Sequence, residues 1–184
     1  MIAREPKLLA GAATIDDLDA FLESIEQIAT RTETVIQAVN AQYVTSEEHL
    51  RRAVELAERA IDRNEAIARD PAVEILLYAA GRRQITDALE MGVGEAVNPQ
   101  SVVFIVVEKR KRKSSSGSET TDEGGVNTAI DALKLLCDSG EMIGSYDPQL
   151  VDRFFSIGDS ELRLVDGDRD AIVRERVALL DVSK

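Results

Sequence analysis

The chain contains no tryptophan, one cysteine, Cys137, and one histidine, His49. A single thiol excludes an internal disulfide. No set of cysteine and histidine residues has the spacing of metal ligands, so a zinc centre has no support. His49 falls in the first turn of a predicted helix with no partner nucleophile, which suits a surface or helix-end residue better than a general base. No GxxxxGK[ST] loop occurs, and Gly92-Val93-Gly94 follows a helical pattern instead of a strand, the wrong setting for a dinucleotide loop. Acidic side chains are plentiful, but they fall on solvated helix faces. Catalytic residues, metals and cofactors are therefore not expected, and the chain reads as a non-enzyme.

Long apolar runs are missing as well. None approaches the ~20 residues of a membrane-spanning helix, and the start, MIAREPK, carries charge without the apolar stretch of a signal peptide. A cytoplasmic protein without membrane contact is expected. Aromatic residues make up 4% against 44% apolar, so a core must be built mainly from Ala, Val, Leu and Ile. A chain of 184 residues suits one domain, 1–184.

Lysine is scarce: six residues against sixteen arginines, sixteen aspartates and eighteen glutamates, for a net charge of −12. An acidic, lysine-poor surface of this kind stays hydrated in a salt-rich cytoplasm and points to a halophilic source; an ordinary acidic protein is the plainer alternative. The acid excess argues against a broad nucleic-acid face. A local basic site remains open, with directional contacts carrying its affinity.

The most informative stretch is Glu74–Gly94, EILLYAAGRRQITDALEMGVG. Asp70 and Pro71 form an N-cap and first-turn proline. The run Val73–Ala80 is apolar except for Glu74, so this helix must be covered on nearly every side. Gly81 ends it. Arg82, Arg83 and Gln84 follow, then a shorter helix with Ile85, Ala88 and Leu89 at helical spacing, ended by Gly92. Two arginines at a helix start are unfavourable unless an anion joins them, and a phosphate suits such a place. In the competing account, Glu74, Asp87 or Glu90 supplies the counter-charge and the arginines fasten two helices together. Tyr78 and Met91, where exposed, are candidates for a partner surface.

Elsewhere, Lys7–Ala13 and Glu33–Ala41 read as strands, with a helix between them capped by Thr14 and striped by Ile15, Leu18, Leu22, Ile25 and Ile28. Thr45-Ser46-Glu47-Glu48 opens a long helix through about Arg63, with Leu50, Val54, Ala57 and Ile61 facing in. On its polar side Glu48→Arg52 and Glu55→Arg59 are favourable i,i+4 pairs, and Arg51 lies among them. These arginines would flank the Arg82–Arg83 site if the two helices packed side by side. Ser101–Val107, SVVFIVV, suggests a strand covered on both faces. Glu108–Gly125 reads as a hydrophilic loop containing the basic block Lys109–Lys113, whose charge nearby acids nearly cancel. Val126–Asp138 reads as a helix with Cys137 on its apolar face, and further helices start at Asp147-Pro148 and cover 159–165 and 168–175. Arg176–Val182 reads as a closing strand. This order predicts an α/β (α+β) fold, one layered domain with a small mixed sheet covered by several helices.

Ala72–Gly94, AVEILLYAAGRRQITDALEMGVG, resembles the signature stretch of the PRPK-binding-protein family, and Arg174–Val182, RERVALLDV, resembles that family's closing segment. The resemblance covers most of the chain, with 108–125 as a loop expansion. It implies the non-catalytic accessory subunit of the KEOPS complex, which docks on the complex's small atypical kinase. In archaeal members it also implies contact with the 3′ end of tRNA, in support of threonylcarbamoyladenosine formation. On that reading Arg82, Arg83 and Gln84 are the RNA contacts. A protein-interaction module that regulates a kinase without touching RNA is the alternative.

Overall fold

The structure, a computed structural model, describes residues 5–95, 97–109 and 123–182. Three substantial strands, β1 (Lys7–Ala13), β2 (Thr34–Asn40) and β3 (Gln100–Glu108), and a two-residue β4 (Asp138–Ser139) form a sheet in the order β2-β3-β1-β4. Every described ladder is antiparallel, so the α+β class holds while the strand directions are not mixed.

β3 lies between β2 and β1 and organises both layers. Its side chains alternate between two apolar clusters, Val103, Ile105 and Val107 on one face and Val102, Phe104 and Val106 on the other. A strand with period-two side chains and no polar break has no solvated face to offer. The Phe104 side is covered by α1 (Leu18–Thr32) and α5 (Glu123–Leu133). The Ile105 side is covered by α2 (Glu47–Asp62), α3 (Pro71–Ala80), α6 (Pro148–Phe154) and α8 (Arg169–Val182). A four-residue α4 (Ile85–Ala88), a 3₁₀ turn at Leu89–Met91 and α7 (Asp159–Leu164) complete the set. At the narrow edge, a Cβ on Gly11 would sit 2.7 Å from the Asp138 carbonyl oxygen, so a glycine lets β4 close on β1.

α3 behaves as its composition requires. Asp70 caps it by accepting from the Ala72 N–H, Pro71 opens it, and every side chain from Glu74 to Ala80 is buried. Ile75, Leu76 and Leu77 each contribute about 1.5–3 kcal/mol by leaving water.

Four local expectations are corrected. α1 begins at Leu18, capped by Asp17 instead of Thr14, and its buried face is Phe21, Ile25, Ile28 and Thr32. That shift leaves Leu22 exposed, while Ile15 is buried in the preceding loop. α2 is capped by the Ser46 hydroxyl, because the Thr45 hydroxyl donates to Asp170 at 2.7 Å. α5 stops at Leu133, where short i→i+3 bonds turn Leu135 and Leu136 so that 138–139 can join β1; half-buried Cys137 lies in that turn. Arg176–Val182 is no strand but the second half of α8, whose Val173, Val177 and Leu180 recur at helical spacing against the core. Of the predicted 108–125 loop, residues 110–122, and with them most of the basic block, lie outside the described residues.

Candidate interaction site at the end of α3

α3 ends in a left-handed Gly81 (φ 59°), whose N–H donates to Tyr78 O while that of Arg82 donates to Leu77 O. A Cβ there would meet the Arg176 carbonyl oxygen of α8 at 3.4 Å, so the turn is tight against a neighbour as well as left-handed. The chain leaves this turn through Arg82, Arg83 and Gln84, and the structure gives the three different settings.

Arg82 turns inward. Its guanidinium donates to the Phe154 carbonyl at the end of α6 and lies over the Phe154 ring, 5.1 Å from the centroid. Arg83 and Gln84 are exposed. Gln84 is the N-cap of α4 but makes no capping bond through its side chain. α4 has only four residues, so the helix field expected to draw an anion here is weak.

Two of the three carboxylates expected to neutralise the arginines, Glu74 and Glu90, have partners elsewhere. Glu74 is fully buried and points to the preceding loop, where it accepts from the backbone N–H groups of Ile67 (3.0 Å) and Ala68 (2.7 Å). Glu90 accepts from the Tyr43 hydroxyl at 3.3 Å. The partners of Arg82 among the described residues are a carbonyl and a ring, both neutral.

Three of the seven aromatic residues gather behind this turn together with His49. Tyr43 meets Phe154 edge-on at 4.9 Å, Phe154 meets Phe155 at 4.9 Å, and the His49 ring meets Phe155 at 5.8 Å. Edge-to-face rings pack rigidly, so they hold the surface on which Arg82 is stacked.

Tyr78 and Met91 are not surface residues. Both are fully buried. The Tyr78 hydroxyl donates to Asp181 of α8 at 3.1 Å, and burial together with that carboxylate raises the phenol above its ordinary value. The arginines of α2 are held in pairs: Arg51 with Glu5 and Glu47, Arg52 with Glu55 and Arg59 with Glu55. The expected Glu55–Arg59 pair forms, and Arg52 takes Glu55 in place of Glu48.

His49 is in the first turn of α2 as expected, but it is buried, not on the surface. Its Nε2 lies 2.8 Å from Ala79 O, so that nitrogen carries the proton, and Nδ1 faces Thr45. Burial pushes the imidazole down to about 4, against the opposing pull of the Ala79 carbonyl and of Asp170. Asp170 accepts from Thr45 and Ser46 at 2.7 and 2.6 Å. Arg174 Nε lies 2.8 Å from its other oxygen, close as an ion pair but off the line of a hydrogen bond. Burial would raise Asp170, but the two hydroxyls and the guanidinium outweigh it and leave its carboxyl below the usual range.

These groups predict acid lability. An unfolded chain protonates His49 near its ordinary 6.5, whereas the folded chain resists until about 4. Stability is therefore complete above that ordinary value and falls as pH drops through the window between the two, by up to about 3 kcal/mol. Asp170 adds a further loss below its ordinary 3.8. Urea midpoints at pH 7, 5.5 and 4.5 should fall in order, and His49→Gln, whose amide can still donate to Ala79, should flatten the slope. An equal slope in that variant would assign the acid effect to other groups.

Sequence reasoning has no signal for the inward turn of Arg82, for Arg176 beside it, or for the buried roles of Glu74 and Asp170, since each depends on a distant partner. No helix among the described residues is long and apolar enough to cross a membrane, and none of their side chains group as metal ligands. No curated protein matches the chain. The model of one family, described as kinase binding protein CGI-121, matches residues 16–181. That match takes in β2, β3 and β4, the α3 turn and the helices from α1 into the last turn of α8, leaving β1 outside it, and the chain belongs to the CGI-121 family of kinase-binding proteins.

Proposed function

We propose that this kinase-binding protein is the non-catalytic accessory subunit of a KEOPS complex, docked on the small atypical kinase and holding the 3′ end of tRNA in support of threonylcarbamoyladenosine formation. The observation that carries the RNA half is the α3 turn. A stacked guanidinium with neutral partners stands beside exposed Arg83 and Gln84 in a chain of net charge −12. Guanidinium makes fork-like, directional bonds, and Gln84 offers an amide suited to a base edge. The test is titration with intact tRNA and with tRNA lacking its terminal 3′ nucleotides. Preference for the intact form is expected; equal affinity for both would leave a kinase-binding module without RNA contact.

The kinase side follows from the course of α8. Its Arg176 backbone abuts Gly81, and its Asp181 meets Tyr78, so α8 runs back along α3 and its last turn leaves the arginine turn behind. That last turn carries Leu179 and Val182, 46% and 78% exposed and three residues apart on one helical face. We assign kinase docking to this stripe, because a partner seated there leaves Arg83 and Gln84 open. Leu179→Asp with Val182→Asp should weaken kinase binding at least tenfold in a calorimetric titration with little change in melting temperature. Unaltered binding would move the docking surface elsewhere.

The acid excess is assigned to a halophilic, archaeal source. Like charges repel as screening falls. The melting temperature should rise along a KCl series, and a flat series would remove this assignment.

A further inference from the structure

Beside the arginine turn lies a small hollow of about 170 Å³, lined by Ala80, Gly81, Arg82, Phe155, Ser156 and Arg176. In a chain where acids outnumber bases 34 to 22, this lining carries two guanidiniums, one hydroxyl and no carboxylate. Both guanidiniums are fixed before any ligand arrives. Arg82 is held by the Phe154 ring and carbonyl. Arg176 donates from Nε to Phe155 O at 3.3 Å and is clamped by both oxygens of Glu161 at 2.7 and 2.9 Å. Glu161 neutralises Arg176 from outside the lining, and the partners of Arg82 among the described residues carry no charge, so the hollow keeps a net positive wall. A pocket for a whole small molecule is ordinarily ~300 Å³ or more. This one suits a single compact group.

We infer that the hollow between the Gly81 and Ser156 turns seats a phosphate group, with Arg82 and Arg176 as its two cationic walls and Ser156 at its mouth. Preorganised, directional donors bind a tetrahedral anion at low entropic cost. The inference depends on the RNA reading only for the source of that phosphate: a phosphodiester of tRNA or free inorganic phosphate.

The probe is inorganic phosphate, titrated into the full chain at constant ionic strength with KCl as reference, followed through the amide resonances of Gly81, Arg82 and Ser156. Saturable shifts at these three are expected. Ser156→Asp places a carboxylate at the mouth, and Asp tolerates the left-handed backbone found there (φ 54°), so the variant should fold. It should bind phosphate at least tenfold more weakly, as should Arg82→Gln in its folded fraction. Amides that do not move beyond the KCl reference, or shifts that persist in Ser156→Asp, would overturn the inference. Phosphate that competes with tRNA identifies an RNA phosphodiester as the natural occupant. Phosphate that binds while tRNA affinity is indifferent to it identifies free phosphate, and a chain that binds phosphate but no tRNA retires the RNA reading while the hollow stands.

Discussion

Replacing Glu74 by alanine is expected to cost about 3 kcal/mol or more of stability, which for a chain of this length lowers the melting temperature by roughly 6–12 °C. Glu74 is fully buried, and its carboxylate accepts from the N–H groups of Ile67 and Ala68. Its removal leaves two part-buried donors without their acceptor and a void under the loop. A lost partner costs the desolvation of what remains, about 1–3 kcal/mol for each group. Glu74→Gln keeps one oxygen acceptor of nearly the same shape, so its loss should be smaller, about half. Urea unfolding of the two variants gives the ordering, and hydrogen exchange at Ile67 and Ala68 should quicken in both. A loss below about 1 kcal/mol for Glu74→Ala would show that the loop 63–70 finds other acceptors and that this carboxylate does not pin it.

The second large effect divides the arginine turn. Arg82→Ala should lower the melting temperature, because it removes the stacking on Phe154 and uncaps the last carbonyl of α6. The expected loss is about 1.5–3 kcal/mol, the range of a hydrogen bond to a charged group. Arg83→Ala with Gln84→Ala should leave the melting temperature nearly unchanged, since both side chains are exposed. It should weaken tRNA binding at least tenfold, because one directional charged contact is worth about 1.5–3 kcal/mol and every 1.4 kcal/mol is a factor of ten. Kinase binding should persist in both variants, as the Leu179–Val182 stripe lies a turn or more along α8. The outcome that sinks the RNA assignment is normal tRNA affinity in Arg83→Ala/Gln84→Ala. Loss of affinity in Arg82→Ala alone, measured on its folded fraction, would instead place the contact at the hollow behind the turn.

The two experiments share a physical theme. α3 is a nearly all-apolar helix with a single acid, and that acid anchors the loop before it. The turn after α3 carries the charge that faces outward. A helix so enclosed transmits the position of its ends faithfully, because close-packed cores deform little. Holding Ile67 and Ala68 at one end and Arg82 at the other therefore keeps Arg83 and Gln84 in one place.

The local sequence by itself determined where α3 begins and ends, that β3 is covered on both faces, and the positions of β1 and β2. Each rests on a signal carried by adjacent residues: an Asp-Pro start, a left-handed glycine, an unbroken apolar run, a short β-prone run. It also carried the match that makes this chain a kinase-binding protein of the CGI-121 family. Only the tertiary structure decided which way the charged and polar side chains turn. Arg82 and Arg83 are neighbours of one type, yet one is stacked on Phe154, 72 residues away, and the other is exposed. Arg176–Val182, expected as a strand, is helix because its Val177 and Leu180 bury against the core at helical spacing from Val173. Tyr78 and Met91 could face a partner or the interior on propensity alone, and packing put both inside. Backbone punctuation is a short-range property of a few residues, whereas the direction of a side chain is settled by the distant group that desolvates or pairs with it.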